Sequence, residues 1–153
     1  MRAIHLPFAQ PAQPSRPFLV RNTDQASGSG RAHALERPRI LVVEDDFLLA
    51  LRLEMLLSEA GYAVVGPAAR LGETLGLIGR EDVDAAILDV DLNGTTVFPT
   101  AAALARQGKP FLFLTAYVED EVYPAHLRAR PRLGKPQDDR SILSALRRLL
   151  SRD

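Results

Sequence analysis

Residues 85–94 read AAILDVDLNG, and this stretch decides the fold. An apolar run too short for a helix leads into the acid Asp89, and Asn93-Gly94 then supplies a turn. The pattern predicts a buried strand with Asp89 at its carboxyl end. In open α/β sheets, the carboxyl ends of the strands are where ligands bind and chemistry takes place.

The rest of the chain repeats the same alternation of a short apolar run and an amphipathic segment. Strands are predicted at residues 40–43, 62–66, 85–88, 111–115 and 132–134. Helices are predicted between Asp46 and Gly61, over residues 69–80 and 97–107, and after Asp138. Five such units predict a doubly wound (βα)5 fold of class α/β, with a five-stranded parallel sheet and helices on both faces.

The fourth connection, residues 118–131, departs from this regularity. It contains Pro124, Pro131 and many charged residues, so an irregular, mobile helix or loop is expected there. The sequence leaves open whether it is a partner-binding face or a solvated loop.

The first predicted helix carries two apolar stripes. The main one would pack on the sheet and consists of Leu49, Leu53, Leu56, Leu57 and Ala60. A second stripe consists of Leu48, Leu51 and Met55. Either the helix is packed between neighbours on two sides, or the second stripe is a partly exposed docking surface for another protein.

Composition excludes several classes of function. The 153 residues suit one domain and include no cysteine, so disulfides and thiolate chemistry are absent. His5, His33 and His126 are too scattered for a histidine metal site, and no apolar run reaches the roughly 18 residues of a membrane span. Residues 1–39 carry a net charge of +4 and residues 40–153 one of −4, which argues against nucleic acid as the main partner.

Residues 1–37 differ in composition from the rest of the chain. Pro7, Pro11, Pro14 and Pro17 prevent a regular helix, and residues 27–30 read SGSG, as linkers do. We therefore divide the chain into a flexible, disordered arm and a domain over residues 38–153. There are two alternatives. Either the start of the sequence is misplaced, or the segment is a short docking element that uses Phe8, Phe18, Leu19 and Val20.

Polar side chains stand at the ends of four of the five predicted strands, or directly after them. They are Glu44 and Asp45, Asp89, Thr115, and Lys135. In a parallel sheet these strand ends meet at one edge, where three crowded carboxylates would repel each other without a cation. Hard oxygen ligands suit Mg²⁺, and a carboxylate can act as a nucleophile that forms an aspartyl phosphate. A metal ion, a lysine and a hydroxyl group would stabilise the transferred phosphoryl group.

This arrangement resembles the receiver domain of two-component response regulators, which has a flavodoxin-like fold. The residues that carry the resemblance are ILVVEDD at 40–46, LDVDLNG at 88–94, FLFLT at 111–115 and Lys135-Pro136. It covers about residues 38–152. The resemblance implies that Asp89 is the phosphoacceptor, Asp45 a direct Mg²⁺ ligand and Glu44 a ligand through water. The backbone carbonyl of Asp91 would be a further ligand, and Mn²⁺ could replace Mg²⁺.

The same resemblance implies that Thr115 hydrogen-bonds the phosphoryl group and that Lys135 pairs with it. In many receivers an aromatic residue three positions before the lysine swings inward on activation, but Arg132 occupies that position here. The segment around Thr115 is similar to an alphaproteobacterial, single-domain subgroup with a Phe-x-x-Thr-Gly-Tyr-like fourth strand, with Ala116 in place of the glycine. That subgroup lacks the same aromatic residue. We therefore expect residues 116–131, with Tyr117, to respond to phosphorylation by ordering.

In the family, positions such as Asp91 and Tyr117 tune how fast water removes the phosphoryl group. The resemblance implies a cytoplasmic bacterial signalling protein rather than an enzyme, with self-catalysed phosphoryl transfer and autodephosphorylation as its chemistry. Its donor would be a histidine kinase or a histidine phosphotransfer protein. Because the sequence ends just after the last helix, we expect a stand-alone receiver, a monomer or weak dimer, that acts through protein contact without nucleic acid or membrane.

Several alternatives to this interpretation exist. The protein could be a phosphate sink that drains a kinase, or a pseudo-receiver that docks without phosphorylation. Asp89-x-Asp91 also resembles the first motif of haloacid-dehalogenase-type phosphatases, although two strands precede it here. Asp89-x-Asp91-x-Asn93-Gly94 matches the start of an EF-hand calcium loop, but Thr100 stands where a glutamate is needed.

Overall fold

The computed structural model describes residues 36–151. The predicted arm therefore lies outside the described residues except for its last two. Its strands are β1 (Arg39–Val43), β2 (Ala63–Ala68), β3 (Ala85–Leu88), β4 (Asp91–Leu92), β5 (Thr95–Thr96), β6 (Phe111–Thr115) and β7 (Arg132–Gly134). Its α-helices are α1 (Phe47–Glu59), α2 (Leu71–Arg80), α3 (Phe98–Arg106) and α4 (Asp139–Leu150).

Five of the strands form a parallel sheet in the order β2-β1-β3-β6-β7. Alternate residues of each strand face opposite sides, and both sides are buried. Ile40, Val42 and Ile87 pack with Leu53 of α1 and Leu146 of α4. Their neighbours along the strands pack on the other face against α2 and α3. This strand order and the parallel pairing confirm the predicted doubly wound, flavodoxin-like sheet. Its strands are covered on both faces, which explains why they appear in the sequence as continuous apolar runs.

The chain reverses direction across the sheet at β1. The connection from β1 leads to β2 on one side, and β3 then pairs with β1 on the other. This is the topological switch point of an open α/β sheet, where a crevice forms outside the carboxyl ends of the strands. Asp89 and the acids after β1 lie at this point.

The predicted ends of the helices are largely confirmed. Asp46 is the N-cap of α1, and its carboxylate accepts a hydrogen bond from the Leu49 N–H at 3.0 Å. Asp138 caps α4 in the same way through the Ser141 N–H, at 2.9 Å. Arg37, assigned to the arm from the sequence, donates to the carbonyls of Ser58 and Gly61 at the end of α1, both at 3.1 Å.

The fourth crossover, residues 116–131 between β6 and β7, contains two short 3₁₀ turns, Asp120–Val122 and Ala125–Leu127, instead of an α-helix. The expected irregularity is therefore confirmed. The segment nevertheless contributes to the core, because Tyr123 and Leu127 are 1% and 0% exposed. These two side chains pack with the residues of α2, α3 and the adjoining sheet face.

The second apolar stripe of α1 is exposed to solvent. Its predicted members Leu48, Leu51 and Met55 are 75%, 42% and 56% exposed. Phe47, four residues before Leu51 on the same helix face, is 76% exposed and extends the stripe to four side chains. The interpretation that α1 is packed between neighbours on two sides is therefore wrong for the part of the chain that the structure describes. Leu53 and Leu57 of the main stripe are buried, so α1 contacts the sheet through one face only.

Candidate functional site

The site is built from residues that follow β1 and β3. The two strands pair in parallel with Val43 opposite Leu88, so the next residues of each strand lie side by side. Glu44, Asp45 and Asp89 each bring a carboxylate oxygen within 4.8 Å of the others. Glu44 and Asp89 are 2% and 7% exposed, whereas Asp45 is partly exposed.

The backbone around these acids is fixed by hydrogen bonds across the sheet. The Glu44 N–H donates to the Ala68 carbonyl of β2 and the Asp89 N–H to the Val43 carbonyl, both at 2.9 Å. Two residues before Ala68, Gly66 adopts a φ of +92°, in the left-handed region that favours glycine. A Cβ at position 66 would lie 2.8 Å from the Ala68 nitrogen and 2.9 Å from the Val42 oxygen.

Lys135, which follows β7, completes this group. Its Nζ lies 2.7 Å from Glu44 Oε2 and 2.8 Å from Asp89 Oδ2. Its backbone N–H donates to the Thr115 carbonyl at 2.9 Å, so the lysine is anchored to the end of β6. We call Glu44, Asp45, Asp89 and Lys135 the acidic edge. The structure thus brings together three predicted metal ligands and the predicted phosphoryl-pairing lysine.

Burial sets the protonation of the acidic edge. It raises the pKa of Glu44 to about 7, and the hydrogen bond from Lys135 offsets only part of that effect. Burial lowers the pKa of Lys135, but its bonds to Asp89 and Glu44 outweigh this, and the net shift is upward. Lys135 therefore stays charged, and Glu44 is a carboxyl group that a cation would help to deprotonate.

The donor set fits a hard divalent cation. Three carboxylates supply oxygen ligands. Lys135 pairs with Glu44 and Asp89, and within residues 36–151 no salt bridge involves Asp45. Mg²⁺ is bound by one or two carboxylates together with waters and phosphate oxygens, which is the arrangement this group can offer.

Thr115 lies at the same edge of the sheet. It is the last residue of β6, pairs with Gly134 of β7 and is fully buried. Its Oγ1 accepts a hydrogen bond from the Tyr117 N–H at 3.2 Å. Tyr117 and Ala116 are exposed, and they begin the fourth crossover.

A β-hairpin follows Asp89 that the sequence reasoning missed. Strands β4 and β5 pair antiparallel around Asn93 and Gly94, whose φ angles are 53° and 85°. The Asn93 N–H donates to Asp45 Oδ2 at 3.0 Å, and the Gly94 N–H to Asp91 Oδ1 at 2.7 Å. An Asn-Gly pair at the centre of a two-residue turn is a strong short-range hairpin signal, so the sequence did contain it, although Thr95 and Thr96 after it are not apolar.

The position of Thr100 excludes the EF-hand interpretation. Thr100, the residue in the twelfth position, is buried within α3 rather than in a loop. Its hydroxyl is paired at 2.5 Å with that of Thr74. It therefore offers no ligand to a cation near Asp89.

Arg132 lies in β7 and directs its guanidinium toward the fourth crossover. It donates to the carbonyls of Val118 and Arg128, at 3.0 and 2.8 Å, and pairs with the carboxylate of Asp120. Its guanidinium carbon lies 4.4 Å from the centre of the Tyr123 ring. Sequence reasoning missed Tyr123, because a single tyrosine in a proline-containing, charged segment shows no periodicity.

The comparisons with known proteins agree with this fold and site. A family model described as the response regulator receiver domain matches residues 40–150. Protein MrkE of Klebsiella pneumoniae is 29% identical over 139 residues, covering 86% of this chain and 51% of MrkE. The chain therefore spans about half the length of that curated relative.

Two solved structures illustrate the structural likeness. SdrG of Sphingomonas melonis Fr1 is 36% identical with a TM-score of 0.65, covering 74% of this chain and 97% of SdrG. The non-phosphorylated HemR receiver domain of Leptospira biflexa is 30% identical with a TM-score of 0.68, covering 76% and 97%.

The fold is that of the flavodoxin-like α/β class, with acids at its switch point. The chain belongs to the response regulator receiver domain family. Receiver domains are signalling modules of two-component systems rather than enzymes, and membership supports a phosphoacceptor role. None of the helices in residues 36–151 combines the length and apolar character needed to cross a lipid bilayer.

Proposed function

We propose that this protein accepts a phosphoryl group on Asp89 from a histidine kinase or a histidine phosphotransfer protein, and then signals by protein contact or phosphorelay. The observation that carries the proposal is the acidic edge itself. Three carboxylates and one ammonium group converge on a crevice outside the strand ends. Each has a place in phosphoryl transfer to a carboxylate.

Asp89 is the proposed nucleophile. One of its carboxylate oxygens forms a bond to phosphorus while the bond between phosphorus and the donor histidine nitrogen breaks, and the electron pair of that bond remains on the imidazole. Lys135 already contacts Asp89 Oδ2 at 2.8 Å and would pair with a phosphoryl oxygen next to it. Thr115 would donate its hydroxyl to another.

Glu44, Asp45, Asp89 and the backbone carbonyl of Asp91 would hold Mg²⁺, or Mn²⁺ in its place. The bound cation would neutralise charge on the phosphoryl oxygens and on the crowded carboxylates. Each of the first two carboxylates is held by a backbone donor: Glu44 accepts from the Asp46 N–H at 3.1 Å and Asp45 from the Asn93 N–H at 3.0 Å.

The exposed stripe of α1 is the proposed docking surface for the phosphodonor. α1 begins directly after Asp46, so Phe47 and Leu48 follow Asp45 of the acidic edge by two and three residues. Four large apolar side chains on one exposed helix face are unusual for a surface without a partner. A donor whose histidine lies on an amphipathic helix would bury this stripe while presenting the imidazole to Asp89.

The test is phosphorylation by acetyl phosphate, followed by intact-mass measurement with and without Mg²⁺. We expect a magnesium-dependent gain of one phosphoryl group that is lost in Asp89→Ala. Asp91→Asn is the matched control, since it removes a neighbouring carboxylate and should still form the adduct. Steady turnover of phosphate esters without an adduct would instead indicate a phosphatase. Neither adduct nor turnover, with several phosphodonors, would indicate a pseudo-receiver.

A further inference from the structure

We infer that Arg132 and Tyr123 form a latch that holds the start of the fourth crossover, and that the latch opens when the hydroxyl of Thr115 turns to a phosphoryl group on Asp89. The inference rests on the proposed function, because it takes the phosphoryl group on Asp89 as its trigger. It assigns a role to an arginine that stands three residues before Lys135 and to a tyrosine that the phosphoryl chemistry does not use.

Arg132 joins the two ends of the crossover. Its guanidinium bonds the carbonyl of Val118 near the start and that of Arg128 near the end, and it also pairs with Asp120. Its side chain is only 15% exposed. A planar guanidinium can satisfy several acceptors at once, and a lysine ammonium could not reproduce this geometry.

Tyr123 forms the second half of the latch. Its ring lies under the Arg132 guanidinium and packs on Phe113 and Phe98, with centroids 5.0 and 5.7 Å away. Its hydroxyl donates to the Tyr117 carbonyl at 2.5 Å. The exposed residues Tyr117 and Val118 are therefore held through their carbonyls by two mostly buried side chains.

The latch is connected directly to the site through Tyr117. While its carbonyl is held by Tyr123, its N–H donates to Oγ1 of Thr115. A Thr115 hydroxyl that rotates toward a phosphoryl group would direct its oxygen away from that N–H. The peptide units on both sides of Tyr117 would then lose one of the contacts that fix them, and residues 117–123 would loosen.

This direction is opposite to the ordering expected from the sequence. Ordering on phosphorylation requires a segment that starts without fixed contacts. In the described structure the crossover is already held at Tyr117, Val118 and Arg128. Loosening would expose Val122 and Tyr117 further, and both are already partly accessible apolar surface.

The latch also predicts how binding at Asp89 responds to its removal. If the closed latch and the phosphoryl group compete for Thr115, weakening the latch must favour the phosphoryl-bound state, because coupling between two equilibria is reciprocal. The loss of one hydrogen bond of ordinary strength corresponds to about 2- to 10-fold. A variant that only damaged the fold would change the affinity in the other direction.

The experiment uses the full chain and beryllofluoride with Mg²⁺ as the phosphoryl mimic. Amide exchange would be followed over residues 116–131, and beryllofluoride affinity by fluorine NMR. The variants are Arg132→Met and Tyr123→Phe, the second of which keeps the ring and removes only the hydroxyl. Arg130→Met is the matched control, since the Arg130 guanidinium stacks on Phe111, 4.7 Å from its centroid, outside the latch.

We expect beryllofluoride to raise exchange of residues 117–123 in the unaltered protein and in Arg130→Met. Both latch variants should show raised exchange before beryllofluoride is added, a smaller further increase, and about 2- to 10-fold tighter beryllofluoride binding. Bound beryllofluoride with unchanged or slower exchange, or latch variants that behave like Arg130→Met, would overturn the latch alone. Absence of beryllofluoride binding, together with no adduct from acetyl phosphate, would overturn the proposed function as well.

Discussion

The acidic edge and the fourth crossover lie next to each other but are held by different kinds of contact. In the acidic edge, parallel pairing of the strands places Glu44, Asp89 and Lys135 directly after β1, β3 and β7, and Asp45 one residue further on. In the crossover, Arg132 and Tyr123 donate hydrogen bonds to individual backbone carbonyls of a segment that contains no sheet strand or α-helix. The first region is therefore rigid in the way a sheet is, whereas the second depends on a few separable contacts.

This difference suits a switch. A nucleophile and its metal ligands must be positioned before reaction, which requires a scaffold with little freedom. A reporter of the reaction must have two arrangements separated by a small free energy. The predictions below test this contrast between the two regions, beginning with the largest expected effect.

Replacing Lys135 should have the largest effect, because it leaves two buried carboxylates without their cation. We expect Lys135→Met to lower phosphorylation by acetyl phosphate about 100-fold. Without Mg²⁺ it should also lower the free energy of unfolding by about 1–3 kcal/mol. Intact mass and urea denaturation measure the two effects.

Lys109→Met is the control for that variant. Lys109 pairs with an exposed carboxylate of Asp82, so its loss should change stability by less than about 1 kcal/mol. Equal destabilisation by both variants would contradict the special position of Lys135.

The affinity for Mg²⁺ should depend on pH through Glu44. Because burial raises the pKa of Glu44 to about 7, the metal must displace a proton below that pH. Calorimetric titration should show affinity falling about tenfold per pH unit below about 7 and levelling above it. The Glu44→Gln variant should bind Mg²⁺ more weakly, and its affinity should not depend on pH in this range. A pH dependence that persists in this variant would show that a group other than Glu44 is responsible.

The stability of the metal-free protein should depend on pH in the opposite direction to the Mg²⁺ affinity. Because the pKa of Glu44 in the folded protein lies above its ordinary value of 4.5, the metal-free native protein binds a proton more readily than the unfolded chain. Its contribution to stability is therefore full below about pH 4.5 and is lost as pH rises to about 7. Denaturation without Mg²⁺ should show this decline, and Glu44→Gln should flatten it.

Two tyrosines of the crossover allow a matched comparison of stability. Tyr123→Phe removes a buried hydroxyl bond to the Tyr117 carbonyl and should lower the free energy of unfolding by about 1 kcal/mol. Tyr117→Phe changes a side chain that is 43% exposed and should have an effect within about 0.5 kcal/mol. Equal effects in urea denaturation would show that the crossover does not depend on the latch.

Asp91→Asn should have the smallest effect on folding. An asparagine oxygen can still accept the Gly94 N–H, so stability should change by less than about 0.5 kcal/mol. Removing a negative charge near Asp89 should nevertheless alter the lifetime of the aspartyl phosphate several-fold. The decay of the phosphorylated mass over time tests this, and an unaltered decay rate would refute it.

Much of the fold could be read from the sequence, because strands buried on both faces leave continuous apolar runs. Ile40 to Val43 and Phe111 to Thr115 are such runs, and their order along the chain limits the topology to a few alternatives. Asn93-Gly94 carries a turn signal, but β4 and β5 have only two residues each, which is too short for an alternating strand pattern. The exposure of Leu48 was undecided from the sequence, since a periodic pattern does not say how many neighbours a helix has.

The sequence by itself determined the sheet, its order of elements and the residues that follow its strands, because backbone pairing places strand ends together whatever their side chains are. Only the tertiary structure decided that Lys135 contacts both Glu44 and Asp89, and that Arg132 meets Tyr123. Those contacts depend on the directions of side chains in turns and loops, where the sequence shows no periodic pattern. Local sequence carries no signal for such directions, because they are set by packing against residues distant in the chain.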